Sequence, residues 1–243
     1  MLNPRIPEVL GAAAVAAAAA CTLTYAALGP GSQLFGRTLI AGRNPKEVAL
    51  TYDDGPNDAN TDRLLDILAR HEARATFFMI GSFVRQRPDI VRRVHAAGHL
   101  IGNHTDTHPW LSFQSPRVIR EELRACDQAL EDTLGAPVRY LRPPHGARRP
   151  TVFHIASELG LKLVQWNVMG HDWAPIGPAK IIAHIDRGLH RAERRHTGAN
   201  ILLHDGSQHG IGVDRTDTLT VTAQLLDRFA QQGLRTVTVD AWD

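Results

Sequence analysis

The side chains of this chain that are able to do chemistry fall in five short segments. The first is Thr51-Tyr52-Asp53-Asp54-Gly55-Pro56. Adjacent carboxylates raise one another's pKa unless a cation offsets the charge, and a metal on one with an arginine beside the other resolves that conflict. The second is Asn103-His104-Thr105-Asp106-Thr107-His108, whose imidazoles at i and i+4 reach one metal from a single helical turn. Spacing alone is weak: 13 His in 243 residues give about 0.7 such pairs by chance. His95 and His99 share it with no acidic pair nearby and read as structural. His104 and His108 follow an apolar run and end at Pro109. With Asp54 they form a two-His, one-carboxylate set that leaves positions on a divalent ion for water and substrate. Non-haem iron oxygenases use the same set, so its neighbour decides the reaction. The surplus Asp53 helps decide, because a hydrolase needs a base beside its water and an oxygenase does not.

The third segment, Arg142-Pro143-Pro144-His145-Gly146, is a turn fixed by two prolines, with a glycine that lets backbone approach a ligand. Arg142 is suited to pair bidentately with a carboxylate such as Asp53. The fourth and fifth are Asp172-Trp173 and Leu202-Leu203-His204-Asp205-Gly206. A histidine after a buried strand is commonly a packed one, but His204 emerges at the same sheet edge as the metal set, which suits a general acid. Trp173 and Leu202 suit an apolar wall for a methyl group.

These side chains need a frame. Strand candidates are Glu47 to Tyr52, Ala75 to Met79, Leu100 to Asn103, Tyr140 to Arg142, Lys162 to Trp166, Asn200 to Leu203 and Arg235 to Val239. Between them the pattern predicts helices over Thr61 to His71, Pro88 to Ala97, Pro116 to Leu134, Thr151 to Leu159, Pro178 to Arg194 and Thr216 to Gln232. Strands alternating with helices imply parallel pairing through right-handed crossovers, in a doubly wound sheet or a barrel. Asp53, Asp54, His104, Arg142, Asp172 and His204 all come at or just after a strand's end. Loops from many strands converge there most readily in a barrel.

Composition sets broad limits. A chain of 243 residues, 43% hydrophobic and 21% charged, builds a globular core, and a net charge of +2 points away from nucleic acid. The short cluster from Arg191 to Arg195 reads as a solvated helix face. Cys21 and Cys126 are not expected to pair. From Val9 to Leu28 the chain carries no charge, long enough to span a bilayer but rich in alanine. An uncleaved signal anchor and a cleaved signal peptide both fit; a lipoprotein signal ending at Cys21 fits less well because of Ala18. Both main readings place the rest of the chain outside the cytoplasm. The expected organisation is a leader or anchor at 1–28, a linker at 29–46 opening on Gly29-Pro30-Gly31-Ser32, and a catalytic domain at 47–243.

The five segments, in this order, resemble the motifs of the polysaccharide deacetylases of the NodB-homology type (carbohydrate esterase family 4). The resemblance runs from about Lys46 to the C-terminus. It implies a distorted (β/α)7-type barrel, here behind an N-terminal hydrophobic helix, and a divalent metal, usually zinc, with cobalt or another divalent ion as alternatives. The implied reaction is hydrolysis of N- or O-acetyl groups on glycans. Carried over by position, Asp53 is the general base and Asp54, His104 and His108 hold the metal. Arg142 holds Asp53, His204 is the general acid, and Trp173 and Leu202 line the acetate pocket. His145 would offer a backbone N–H to the oxyanion, and Asp172 joins the substrate-binding set. Two positions depart from the pattern. His145 stands where an aromatic residue is usual. Met169 stands where many members carry an aspartate that tunes the catalytic histidine, which predicts a less raised pKa for His204 unless Asp172, Asp205 or Asp214 substitutes. The expected partner is an acetylated glycan with an N-acetylglucosamine-type sugar, acted on by a monomer with membrane contact only through an uncleaved N-terminus. An acetylxylan-type O-esterase, a deacylase of a lipid-linked sugar and a silent glycan-binding module that kept its metal site remain as alternatives.

Overall fold

A helix over Ile6–Leu28 (α1) opens the part of the chain that the computed structural model describes, which is residues 6–58 and 60–243, with side chains from Ala14 onward. The charged N-terminus with Arg5 lies outside the described residues. Among the described residues no helix is long and apolar enough to cross a membrane.

The sheet is built from β1 (Glu47–Gly55), β2 (Thr76–Met79), β3 (Leu100–Asn103), β4 (Tyr140–Leu141), β5 (Lys162–Leu163), β6 (Val168–Met169), β7 (Ala199–His204) and β8 (Arg235–Thr236). All pairings are parallel. The order is β5-β4-β3-β2-β1-β7-β6, and β8 pairs with the start of β1. Only residues 164 to 167 join β5 to β6, at opposite ends of that order, and five peptide steps span at most about 17 Å. The sheet therefore curls until its ends lie close, giving the distorted barrel that the resemblance implied. At its centre β1 is buried at all nine positions, as a parallel strand covered on both faces must be.

Helices α2 (Thr61–Arg70), α3 (Gly81–Gln86), α4 (Pro88–Ala96), α5 (Pro116–Leu134), α6 (Pro150–Glu158), α7 (Pro178–Arg194) and α8 (Thr216–Gln231) cover the outside, with α8 between α2 and α7 and α5 between α4 and α6. Sequence signals set the ends of α5. The Ser115 hydroxyl accepts from Val118 N at 3.3 Å, Pro116 occupies the first turn, and Gly135 ends the helix at φ 74°. The outer core joins Leu50, Tyr52, Phe77 and Leu203 to the helices, and a smaller inner cluster contains Ala49, Phe78, Tyr140 and Val164.

Two elements escaped the sequence pattern. Neither the two-residue β6 nor the six-residue α3 is long enough to show a period. The expected linker at 29–46 is laid against the domain. Leu39 bridges to Val164, and the buried Arg148 donates to the carbonyls of Gly29 at 2.6 Å and Ser32 at 3.0 Å. Cys21 is exposed and Cys126 buried, both as free thiols.

Candidate active site

Strand geometry sends successive side chains to opposite faces, so Asp53 and Asp54 should diverge. They do not, because β1 is bulged at this point. Its register with β2 slips between Asp53 and Gly55, and Asp54 adopts φ 70°. A bulge re-aims a side chain, and aspartate tolerates the left-handed region better than most residues. Both carboxylates consequently face one cavity of about 660 Å³ at the C-terminal edge of the sheet. Gly206 is required beside them, since a Cβ there would stand 1.9 Å from the Asp54 carbonyl oxygen.

The two histidines arrive by a different route from the expected helical turn. Residues 104 to 108 form an irregular loop, with Thr105 at φ 67° and His108 at φ 63°. Asn103 Oδ1 accepts from Thr105 N at 2.7 Å, and Thr105 Oγ1 accepts from His108 N at 3.0 Å. Glu122 of α5 accepts from the backbone of Asp106 and Thr107 at 2.9 and 2.8 Å. These bonds replace the helical ladder and fold both imidazoles toward β1.

Asp54, His104 and His108 then offer ligand atoms that all lie within 4.8 Å of one another. Asp54 Oδ1 stands 3.4 Å from His104 Nε2 and 3.2 Å from His108 Nε2, and it is buried without a hydrogen-bond partner. Two ligands each about 2.1 Å from a tetrahedral ion stand about 3.4 Å apart, so the donors fit a zinc-sized cation. The tautomer fits as well. His104 Nδ1 lies 2.6 Å from the carbonyl of Arg142, which can only accept, so the proton is on Nδ1 and Nε2 is free to ligate. Burial alone would raise Asp54, but the neighbouring imidazoles hold it well below the usual carboxylate range, in the charged form a metal requires.

Arg142 is fully buried inside the curl of the sheet, its guanidinium 4.3 Å above the Phe78 ring. Its contact with Asp53 is single rather than bidentate. Nη1 donates to Asp53 Oδ1 and to Thr51 Oγ1, both at 2.8 Å, while Nη2 is drawn to Gln165 O at 3.3 Å and Asn200 Oδ1 at 3.4 Å. The fork is spread over four acceptors because the interior has other polar atoms to satisfy. Asp53 Oδ2 is left 3.8 Å from His104 Nε2.

Opposite the metal set, His204 Nδ1 lies 2.9 Å from Asp172 Oδ1, and Asp172 Oδ2 accepts from His204 N at 2.8 Å and Thr218 Oγ1 at 2.7 Å. Asp172, placed by sequence among the substrate-binding residues, lies with its carboxylate buried behind His204. Burial would lower the imidazole, yet the Asp172 charge and hydrogen bond, with Asp54 and Asp53 beyond, push it up to about 9. The less raised His204 expected from Met169 assumed no acidic partner, and Asp172 supplies one. Neither other candidate does so. Asp205 accepts from Thr61 Oγ1 at 2.5 Å and is itself pushed up to about 7 by burial, while Asp214 bonds Thr216. The folded His204 is protonated at neutral pH, so the stability it contributes is full below its ordinary 6.5 and fades as pH rises through about 9.

Trp173, Leu202 and Met169 form the apolar side of the cavity. The Trp173 ring lies 5.4 Å from that of His204. His145 adopts φ 57° and lies between two rings, edge-on to His108 at 4.6 Å and stacked on Trp110 at 4.0 Å. Burial, then the nearby imidazoles, lower His145 to about 4, so it is neutral. Sequence reasoning overlooked the stacked Trp110, the supporting Thr218, and Arg215 and Leu28 in the cavity wall. None lies in a motif, and only the fold brings them near.

The sequence profile of the polysaccharide deacetylases matches residues 41–164. A peptidoglycan-N-acetylglucosamine deacetylase of Bacillus cereus is 36% identical over 81% of this chain and 87% of its own. A chitooligosaccharide deacetylase of Rhizobium leguminosarum bv. trifolii is 38% identical over 68% of this chain and 74% of its own. Among solved structures, a CE4 family pseudoenzyme from Bacillus anthracis superposes with a TM-score of 0.74 at 26% identity, covering 85% of this chain and 68% of its own.

Proposed function

Since the chain belongs to the polysaccharide deacetylase family, we propose that it hydrolyses the N-acetyl group of N-acetylglucosamine-type residues in a cell-envelope or extracellular glycan. One observation carries this reading. The bulge in β1 turns Asp54, and with it the Asp54–His104–His108 set, toward the cavity that Asp53 one residue earlier already faces. A ligand set alone suits several reactions, and a held base beside it suits hydrolysis.

Asp54, His104 and His108 would hold the divalent ion, zinc by preference, which supplies a Lewis acid for the attacking water and the acetyl carbonyl. Asp53, fixed through Oδ1 by Arg142, takes the proton of the attacking water. Water oxygen bonds to the acetyl carbon, and the backbone N–H of His145 is the protein's donor to the oxyanion. His204, protonated against Asp172, gives its proton to the sugar nitrogen as the C–N bond breaks, releasing acetate and a free amine. The wall of Trp173, Leu202 and Met169 receives the methyl group. An amide nitrogen is a poor leaving group until protonated, whereas an ester oxygen depends on this less. The buried Asp172–His204 pair therefore favours N- over O-deacetylation. We take 47–243 as the catalytic domain and the N-terminal segment as an export leader or anchor, which places the enzyme with its glycan outside the cytoplasm.

Acetate release from N-acetylglucosamine oligomers and from peptidoglycan tests the reading. Release is expected to stop with a chelator and return on adding zinc or cobalt. Release from no acetylated glycan would leave a silent module, and release indifferent to chelation would remove the metal. A second test separates the acid from the base. Asp172→Asn removes the charge that outweighs burial at His204, so the alkaline limb of kcat is expected to move down by more than about one pH unit. An unmoved limb would take Asp172 out of the mechanism.

A further inference from the structure

The arginines from Arg191 to Arg195 are exposed, as the solvated helix face expected from the sequence requires, and Arg191 and Arg195 also line one side of a second cavity. Arg187, Arg191 and Arg195 follow one another at i, i+4 and i+8 along α7 and its C-cap, and all three line a groove of about 590 Å³. His171 and His184 face each other in the same groove, with ring centroids 4.7 Å apart. Among the described residues, no acidic one lines it. Among the described residues, none of the three guanidinium groups has an ion-pair or hydrogen-bond partner.

Charge on α7 is segregated. Its two acids, Asp186 and Glu193, line a different cavity on the other side of the helix, where Asp186 accepts from Arg228 at 2.6 Å and Glu193 lies 3.9 Å from His190. Like charges at i and i+4 destabilise a helix, so three unpaired arginines in a row are a cost to the fold alone. Cations near a helix C-terminus recover part of it, but that effect falls off within the last turn and does not reach Arg187.

The groove adjoins the catalytic cavity. Pro30, Trp166 and the uncharged Met169 line both. A run of rings also joins them, from His184 to His171, to Trp173 at 5.0 Å, and on to His204. We propose that this basic groove is an anion subsite: it binds a carboxylate or phosphate on the glycan, one sugar or more away from the acetylated residue in the catalytic cavity. Arginine is suited to both groups through paired N–H donors. The substrate is thereby an anionic glycan. This rests on the deacetylase reading above for which substrate is bound, though not for the groove's affinity.

The test uses the full chain and matched probes: a neutral N-acetylglucosamine oligomer, the same oligomer carrying a sugar phosphate, and one carrying a carboxylate. For the variant Arg187→Gln/Arg191→Gln, KM for the anionic oligomers is expected to rise about 10-fold with kcat unchanged, while the neutral oligomer is unaffected. The variant Arg187→Lys/Arg191→Lys restores the charge without the paired donors, so its affinity is expected to lie between those of wild type and the glutamine variant, and it checks that folding is intact. Direct binding of the phosphorylated and carboxylated oligomers by calorimetry reads the same loss without turnover. If neither glycan is deacetylated but the anionic ones still bind through these arginines, the activity reading fails and the subsite stands. Equal affinity of wild type and glutamine variant for the anionic oligomers overturns the subsite. So does arginine-dependent binding to phosphatidylglycerol vesicles without binding to the oligomers, which would make the groove a membrane contact. Comparing the two anionic oligomers identifies which group is preferred.

Discussion

Replacing Asp53 with asparagine is expected to lower kcat for acetate release by about 10²- to 10⁴-fold while leaving metal content unchanged. The substitution is nearly isosteric, and the amide oxygen still accepts the Arg142 Nη1 bond that the carboxylate receives at 2.8 Å. What disappears is a site that takes a proton. Asp54, His104 and His108 are untouched, so zinc measured by atomic absorption should remain stoichiometric. KM should change little, because the side chain acts on the water and binds no part of the sugar. Activity within a few-fold of wild type, with metal retained, would move the base elsewhere.

The second large effect falls on stability as well as rate. Arg142→Met leaves Asp53 buried without its counter-charge, and breaking a buried pair from one side costs about 3 to 5 kcal/mol. For a chain of this length that corresponds to a fall of about 10 °C in Tm. The cost is large because Arg142 is wholly buried and satisfies Thr51, Asn200 and Gln165 besides Asp53. Activity should fall with it, since Asp53 loses the contact that aims it. Arg142→Lys separates the two effects. It restores the charge but not the fork, so Tm should recover more than kcat does. A methionine variant with wild-type Tm would mean that the pair does not anchor the interior of the sheet.

Much of this was legible because local chemistry repeats what the fold needs. The Asp53-Asp54 pair, the His104 and His108 spacing and the glycines that end helices are short-range signals, readable without the tertiary structure. Strand and helix order followed from apolar runs alternating with helical patterns, and the Pro116–Leu134 helix has the predicted ends because Ser115, Pro116 and Gly135 act within one turn. Other features were hidden for physical reasons. Residues 104 to 108 carry a helical spacing but are held as a loop by Asn103, Thr105 and Glu122. Arg142 was placed beside Asp53, but its division among four acceptors depends on atoms from three other segments.

By itself, the sequence determined the inventory: the charged and ring-bearing residues, their order along the chain, the alternation that forces a parallel sheet, and the family that this order resembles. Tertiary structure decided the directions in which those groups point. The bulge at Asp54 sets two adjacent carboxylates on one face, against the two-residue period of a strand. Asp172, 32 residues before His204, became its partner because β6 and β7 pair and bring the loop after β6 beside the end of β7. The three arginines of α7 became the wall of a groove because the acids of the same helix face the other way. Each of these depends on where separate segments meet, which residue order does not encode locally.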